Sequence, residues 1–292
     1  MPNLKAIRKR IATVKNTRKI TRAMKLVAAA RLRRAQENIT KMRPYALQTM
    51  DMIASLAARA GDDAELHPLL ARRDPPQRVL FVVLTSDRGL AGAFNSGVSK
   101  AAHRAYNAMV AEGKTVELAI IGRKGNDFFR RRSIKISKTF PNMYEGLNYQ
   151  KANEIGDYIV HEYTSQGLDA AYLCYNEFKS AITQKVVVEK ILPIEPVKPE
   201  AGDDHSVDYI YEPDQVTILN TILPLYVNVE VYRALLESVA SEHGARMTAM
   251  DNATNNAQDM IKKLTLQANR ARQAAITTEL MEIIGGAEAL KG

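Results

Sequence analysis

The sequence predicts two long terminal helices that pair antiparallel as a coiled coil, with an α/β domain inserted between them. Three observations carry this. Two seven-residue series run through the C-terminal part, one through Leu236, His243, Met250, Ala257, Leu264 and Ala271, the other through Ala240, Met247, Thr254, Ile261, Ala268 and Ala275. Such a/d-like spacing is the mark of a coiled coil. The N-terminal stretch repeats apolar residues at helical spacing and carries no acid before Glu37. Between the two, strand-like apolar runs alternate with amphipathic segments, which argues for a small, mostly parallel sheet. Both long helices lie at chain ends, so pairing them with each other is the economical arrangement.

The first helix starts with Leu4, Ile7, Ile11 and Val14 on one face. A second stripe follows through Ile20, Met24, Val27, Leu32, Ala35, Ile39 and Met42. Pro44 predicts a kink, after which Ala46–Ala60 resumes the pattern. Gly61-Asp62-Asp63 ends it, and 61–78 reads as a linker rich in proline and charge. Val79–Leu84 is a continuous apolar run, as expected of a strand covered on both faces. A helix is predicted from about Phe94 to Ala111, a strand over Val116–Ile121 and a helix from Tyr149 to about Gln166. Ala170–Tyr175 and Ile182–Leu192 supply two further strands, and 193–208 forms a polar exit loop. The last helix has Asp214 as a plausible N-cap and Gly285-Gly286 as its stop, with Pro224 predicted to kink it. About 70 residues at 1.5 Å each give a helix on the order of 100 Å, far longer than a globular domain needs. The domains so drawn are 1–60, 75–195 and 209–292.

Composition agrees with thin helical seams. Of 292 residues 46% are apolar, but only 6% are aromatic and tryptophan is absent, so Ala, Leu, Ile, Val and Met carry the core. Cys174 is the sole cysteine, which excludes an intrachain disulfide and a cysteine zinc site and makes a reducing compartment the default. No run approaches the roughly 18–20 apolar residues of a membrane span. Charge is unevenly placed: residues 1–36 hold twelve of the 41 basic residues and no acid, leaving 29 basic and 32 acidic residues for the rest. Such a segment should meet something anionic, either nucleic acid, a lipid surface or an acidic protein sleeve. Its Arg-rich, acid-free start also looks like a mitochondrial transit peptide, but the helical pattern runs on past a typical cleavage zone.

Catalytic signatures are missing. Thr85-Ser86-Asp87-Arg88-Gly89-Leu90-Ala91-Gly92 sits where a nucleotide-binding fold places its phosphate loop. It lacks the third glycine of G-x-G-x-x-G and the Lys-Ser/Thr of a Walker loop, so a structural strand-to-helix turn is the default. The five histidines (67, 103, 161, 205 and 243) show no metal-ligand spacing.

Several segments nevertheless match a known family. Ile20-Thr21-Arg22-Ala23-Met24-Lys25-Leu26-Val27-Ala28-Ala29-Ala30 closely resembles the gamma subunit of F-type ATP synthase, as does Ser86–Asn95. Ser241–Met247, Met250–Ala253, Arg272–Thr277 and Glu279-Leu280 complete the likeness in order along the chain. The resemblance implies a non-catalytic central rotor whose terminal helices form a shaft and whose Rossmann-like domain forms a foot. The implied partners are a hexamer of alternating alpha and beta subunits, the epsilon subunit and a ring of c subunits, with one copy of this chain per complex. No cofactor is implied on this chain, because Mg-ATP and Mg-ADP are bound by the alpha and beta subunits. By motif, Met24, Arg88, Arg246, Arg272, Gln273, Thr277 and Glu279 match positions that meet the beta subunits, and Tyr209 and Glu212 match the region touching the c ring. The implied location is peripheral, on the cytoplasmic face of a bacterial inner membrane, with the matrix side of a mitochondrial inner membrane as the alternative. Ala91 stands where many relatives have cysteine, and the regulatory cysteine pair of chloroplast relatives is absent, so thiol control is not expected. The competing reading is a basic coiled-coil nucleic-acid-binding protein, whose affinity for DNA would fall steeply with salt. That reading leaves the thin Ala/Met/Thr seam unexplained, whereas a shaft in an acidic sleeve uses both seam and charge; nucleic acid is therefore not the expected partner.

Overall fold

The computed structural model describes residues 4–59, 67–71, 73, 75–194 and 215–289. In chain order its elements are α1 (Leu4–Arg59), β1 (Arg78–Leu84), α2 (Phe94–Ala111), β2 (Thr115–Ile121), α3 (Arg123–Arg130), β3 (Ile136–Phe140), α4 (Tyr149–Ser165), β4 (Ala170–Phe178), β5 (Gln184–Leu192) and α5 (Gln215–Ala289). They divide into two compact units, one of residues 1–28 with 246–292 and the other of residues 29–245.

The larger unit is built on a five-stranded sheet in the order β3-β2-β1-β4-β5. All neighbours pair parallel except β4 with β5, which form an antiparallel edge. The apolar run of β1 is explained by its alternation. Leu80, Val82 and Leu84 enter one core cluster and Phe81 and Val83 the other, so both faces are covered. One face packs on α4 through Ala152, Ile155, Ile159 and Tyr163, and on α5 through Leu219, Leu223, Val227, Val231 and Leu235. The other packs on α2 through Val98 and Ala102 and on α3 through Phe129.

Two elements were invisible in the sequence. The helix α3 buries only Gly125 and Phe129, and β3 buries only Phe140 outright, so neither has enough apolar residues for a period to emerge. The helix α1 runs unbroken through Pro44 to Arg59, and α5 through Pro224 and past Gly285-Gly286 to Ala289, beyond the predicted stop. Asp214 and most of the predicted linker and exit loop lie outside the described residues.

Within the larger unit, α5 is tied to the sheet by a charged cluster. Arg233 Nη2 donates to Glu230 Oε2 at 2.6 Å and to Glu189 Oε2 at 2.8 Å, and Nη1 donates to the Tyr175 hydroxyl at 3.1 Å. Burial works against the guanidinium charge, but Glu230, Tyr175 and Glu189 outweigh it and hold the group protonated.

In the smaller unit, α1 and α5 pair antiparallel. Arg18 donates to Gln258, the Thr21 and Thr254 hydroxyls lie 2.7 Å apart, and Lys25 Nζ reaches Asp251 Oδ1 at 2.6 Å. One index rises as the other falls. Both C-terminal series face inward as far as Leu264, with Met250, Ala257, Ile261 and Leu264 buried, while Ala275 at the end of the second is exposed. On α1 the predicted second stripe holds further along the helix, where Leu32 and Ala35 are buried, but is off by one residue at Ile20 and Val27. Ile20 and Val27 are 59% and 54% exposed, while Thr21 and Ala28 are buried. The true seam continues the 4–3 spacing of Ile7, Ile11 and Val14 through Arg18, Thr21, Lys25 and Ala28. An apolar count passes over it because three of those positions are polar.

Candidate functional site

In an open, mostly parallel sheet, ligands bind beyond the carboxyl ends of the strands, where chain order reverses. Here that point lies between β1 and β4. It is filled by the chain itself. Ala245 of α5 packs with Ala91 and Phe94 from the segment after β1. Ser241 Oγ donates to the Asn176 carbonyl at 2.9 Å, and the Phe178 amide donates to Glu237 Oε2 at 2.8 Å. A Cβ on Gly244 would stand 3.2 Å from the Ala181 Cα, so glycine permits this close approach.

The β1–α2 turn is equally unlike a phosphate cradle. Asn95 closes it from inside: its Oδ1 accepts the Ser86 amide at 2.9 Å and its Nδ2 donates to Ser86 Oγ at 2.9 Å. Asp87 Oδ1 accepts the backbone amides of Arg123 and Asn142 at 3.1 and 3.3 Å, joining the turns after β1, β2 and β3. A carboxylate at this position repels a phosphate. Thr85 Oγ1 donates to the Ile121 carbonyl at 2.7 Å and accepts the Gly125 amide at 2.8 Å, which fixes the turn to α3. This place in the fold is a structural joint between sheet and helix.

The surfaces that remain for function are those of the helices. Arg8, Lys9, Arg10, Lys15, Lys19 and Arg22 are exposed along α1, whereas Arg18 and Lys25 turn into the seam. Met24 is half-buried beside Lys25, and Arg246 is half-buried at the base of the smaller unit's α5 segment. Arg272, Gln273, Thr277 and Glu279 are exposed, with Thr277 Oγ1 donating to the Gln273 carbonyl one turn back at 3.0 Å. These six residues share the smaller unit, and Arg88 sits exposed in the β1–α2 turn of the larger one. Tyr209 and Glu212 lie outside the described residues.

A feature that the sequence reading missed is the far end of α5. From Arg272 to Ala287 every residue except Ala274 is exposed. Ile276, Leu280, Met281, Ile283 and Ile284 are 49–67% exposed. The register explains it: Arg18–Gln258 and Lys25–Asp251 place residues near 272 opposite the start of α1, so later turns have no helix beside them among the described residues of the unit. The signal was present in the heptads, which break after Ala275 although apolar residues continue.

Fold and site together define a class: a helix-pair protein with an inserted α/β body, which works through its surfaces because the crevice where such sheets bind ligands is filled. A family model described as ATP synthase matches residues 3–290. The ATP synthase gamma chain of Anaeromyxobacter sp. (strain Fw109-5) is 53% identical over 293 residues, and that of Geobacter sp. (strain M21) is 52% identical over 294, each covering 100% of both chains. Among solved structures, a chain of the Tetrahymena thermophila mitochondrial ATP synthase central stalk and c-ring is 26% identical with a TM-score of 0.63, covering 80% of this chain and 99% of that one. A chain of the Euglena gracilis mitochondrial ATP synthase shares the fold, with a TM-score of 0.67 at 19% identity over 98% of this chain and 94% of that one. The chain belongs to the ATP synthase gamma chain family, a non-catalytic subunit of that enzyme and part of its central stalk.

Proposed function

We propose that the chain is the rotor shaft coupling proton-driven rotation of a c-subunit ring to ATP synthesis or hydrolysis in an alpha–beta hexamer. The observation that carries this reading is the end of α5, where five large apolar side chains stand exposed on a single helix. A helix of that kind is covered by a partner, and a sleeve of alpha and beta subunits with an apolar lining covers it while letting it turn. In this reading segments 1–60 and 209–292 form the shaft and 75–195 the foot. Met24, Arg88, Arg246, Arg272, Gln273, Thr277 and Glu279 meet the beta subunits, and Tyr209 and Glu212 meet the c ring. The epsilon subunit sits beside the foot, and one chain serves each complex. Mg-ATP and Mg-ADP are held by the alpha and beta subunits, and the shaft acts by making different contacts with each beta subunit at each angle, biasing its open or closed state. Two points support a peripheral site on the cytoplasmic face of a bacterial inner membrane. The relatives named above are bacterial. No helix among the described residues is long and apolar enough to cross a membrane.

The test is to tag the chain, extract membranes gently and identify what accompanies it. ATP-hydrolysing subunits in excess over the tagged chain support the rotor. Recovery with nucleic acid alone overturns it.

A further inference from the structure

The strand β3 lies at the edge of the sheet and, among the described residues, pairs only with β2. Leu118 pairs with Ile136 and Ala119 with Lys138, leaving Ser137 as an extra, bulged residue. A five-residue strand with a bulge, a lysine at each side of it and Pro141 directly after it is a poor template for another strand. Its outer face therefore offers side chains rather than a backbone ladder.

Those side chains are of one sign. Residues 128–144 contain Arg130, Arg131, Arg132, Lys135 and Lys138, all exposed, and no acid. Beyond the N-terminal segment the chain as a whole is net acidic, so this is a second, local cationic patch. A groove of about 530 Å³ runs between the end of α3 and β3, lined by Asn126, Arg130, Ser133, Lys135, Ser137 and Lys138 among others. Three carboxylates lie nearby in sequence or register, and none pairs with these cations; Glu145, directly after the segment, is exposed. Asp127 is exposed, and Glu117 is held by Arg78 at 2.8 Å while accepting from Ser137 Oγ at 3.3 Å. Arg130, Arg131 and Lys135 have no carboxylate in ion-pair range among the described residues. Two of the cations are steadied on rings: the Arg132 guanidinium lies 3.6 Å from the Phe128 centroid, and Lys138 Nζ 5.8 Å from that of Phe140.

We infer that this groove docks an extended, acid-rich segment of another protein. The cations meet Asp and Glu side chains, and the Ser133, Ser137 and Asn126 side chains hydrogen-bond the segment's backbone. No large apolar side chain is exposed between residues 123 and 144 to enter a bilayer, and no aromatic ring lines the groove for a base to stack on. The mix of cations with serine and asparagine side chains in one groove favours an acidic peptide, whose carboxylates and backbone both find partners there.

The test places a photocrosslinking benzoylphenylalanine at Ser137 of the tagged full chain, purifies the native assembly, irradiates it and sequences the adduct. The expected product joins Ser137's position to an Asp/Glu-rich segment of a different protein. Its yield should fall about tenfold with Arg130→Glu and Lys138→Glu together, the size expected for losing two exposed ion pairs and setting like charges in their place, and should fall with added salt. Where the Ser137 position blocks assembly, the probe moves to Ser133. The inference is overturned by an adduct to lipid, nucleic acid, a second copy of this chain or a segment without acids, and equally by no adduct in an intact assembly. These outcomes leave the rotor reading untouched, since that rests on which subunits co-purify.

Discussion

At the scale of the residue, Gly122 and His67 are each held by a single physical constraint. Gly122 has φ +85°, and a Cβ there would stand 2.1 Å from the Thr85 carbonyl oxygen, a backbone atom that cannot swing away. Gly122→Ala should destabilise the larger unit by at least about 3 kcal/mol, combining left-handed strain with a clash. The urea midpoint reports it, and a midpoint within error of the parent would show that the β2–α3 turn relaxes freely. His67 is buried, its Nδ1 accepting the Leu69 amide at 3.1 Å. Burial lowers its pKa from the ordinary 6.5, only partly offset by a hydrogen bond with the Asn220 side chain. With the folded value depressed, the unfolded chain binds the proton first. Above about pH 6.5 the residue therefore adds no pH dependence, and stability is lost as pH falls from there toward the lowered value. Comparing urea midpoints near pH 7.5 and pH 5.5, His67→Gln should lose less than the parent. An equal loss in both would assign the acid sensitivity elsewhere.

At the scale of the element, the antiparallel seam makes a geometric prediction. The Thr21 and Thr254 hydroxyls are 2.7 Å apart. Cysteines at both positions, with Cys174→Ala, should close a disulfide within one chain, inside the usual Cα–Cα range of roughly 4.4–6.8 Å. Non-reducing gels and mass spectrometry distinguish this from bonds between chains, which would indicate a homodimeric coil. The seam also shows why legibility varied along the chain. The strand β1, with its two-sided apolar run, and α2, bounded by Phe94 and the turn at Gly113, were read to the residue or nearly so. The polar seam of α1 was misread because Arg18, Thr21 and Lys25 are satisfied by Gln258, Thr254 and Asp251, partners some 230 residues distant in sequence. The short elements α3 and β3 went unseen because their formation depends on the sheet they join.

At the scale of the whole molecule, the prediction concerns transmission of force. In the rotor reading, Arg272 and Gln273 offer a guanidinium and an amide near the free end of α5, where a carboxylate on one beta subunit accepts both. Charge-assisted hydrogen bonds contribute about 1.5–3 kcal/mol. Present in one rotor orientation of three, they act on rotation barriers more than on assembly. Arg272→Ala with Gln273→Ala should leave subunit composition intact, since both side chains are exposed and outside the seam. ATP turnover or its coupling to proton pumping should drop more than tenfold, each 1.36 kcal/mol being a factor of ten. Unchanged turnover and coupling in an intact complex would make the pair ordinary helix surface.

By itself the sequence determined the architecture and the family, because both rest on long, local signals: heptads, a two-sided strand run and motifs spread over the full chain. Its candidate contact residues came through motif likeness rather than through their chemistry. Three things were decided only by the tertiary structure. The ligand crevice of the sheet is filled by Glu237–Ala245, a packing event between segments about 60 to 150 residues apart in the chain. The register of the helix pair is set by polar contacts that hydrophobic periodicity does not report. The exposed end of α5 follows from that register, since whether an apolar residue is buried depends on where its partner helix begins.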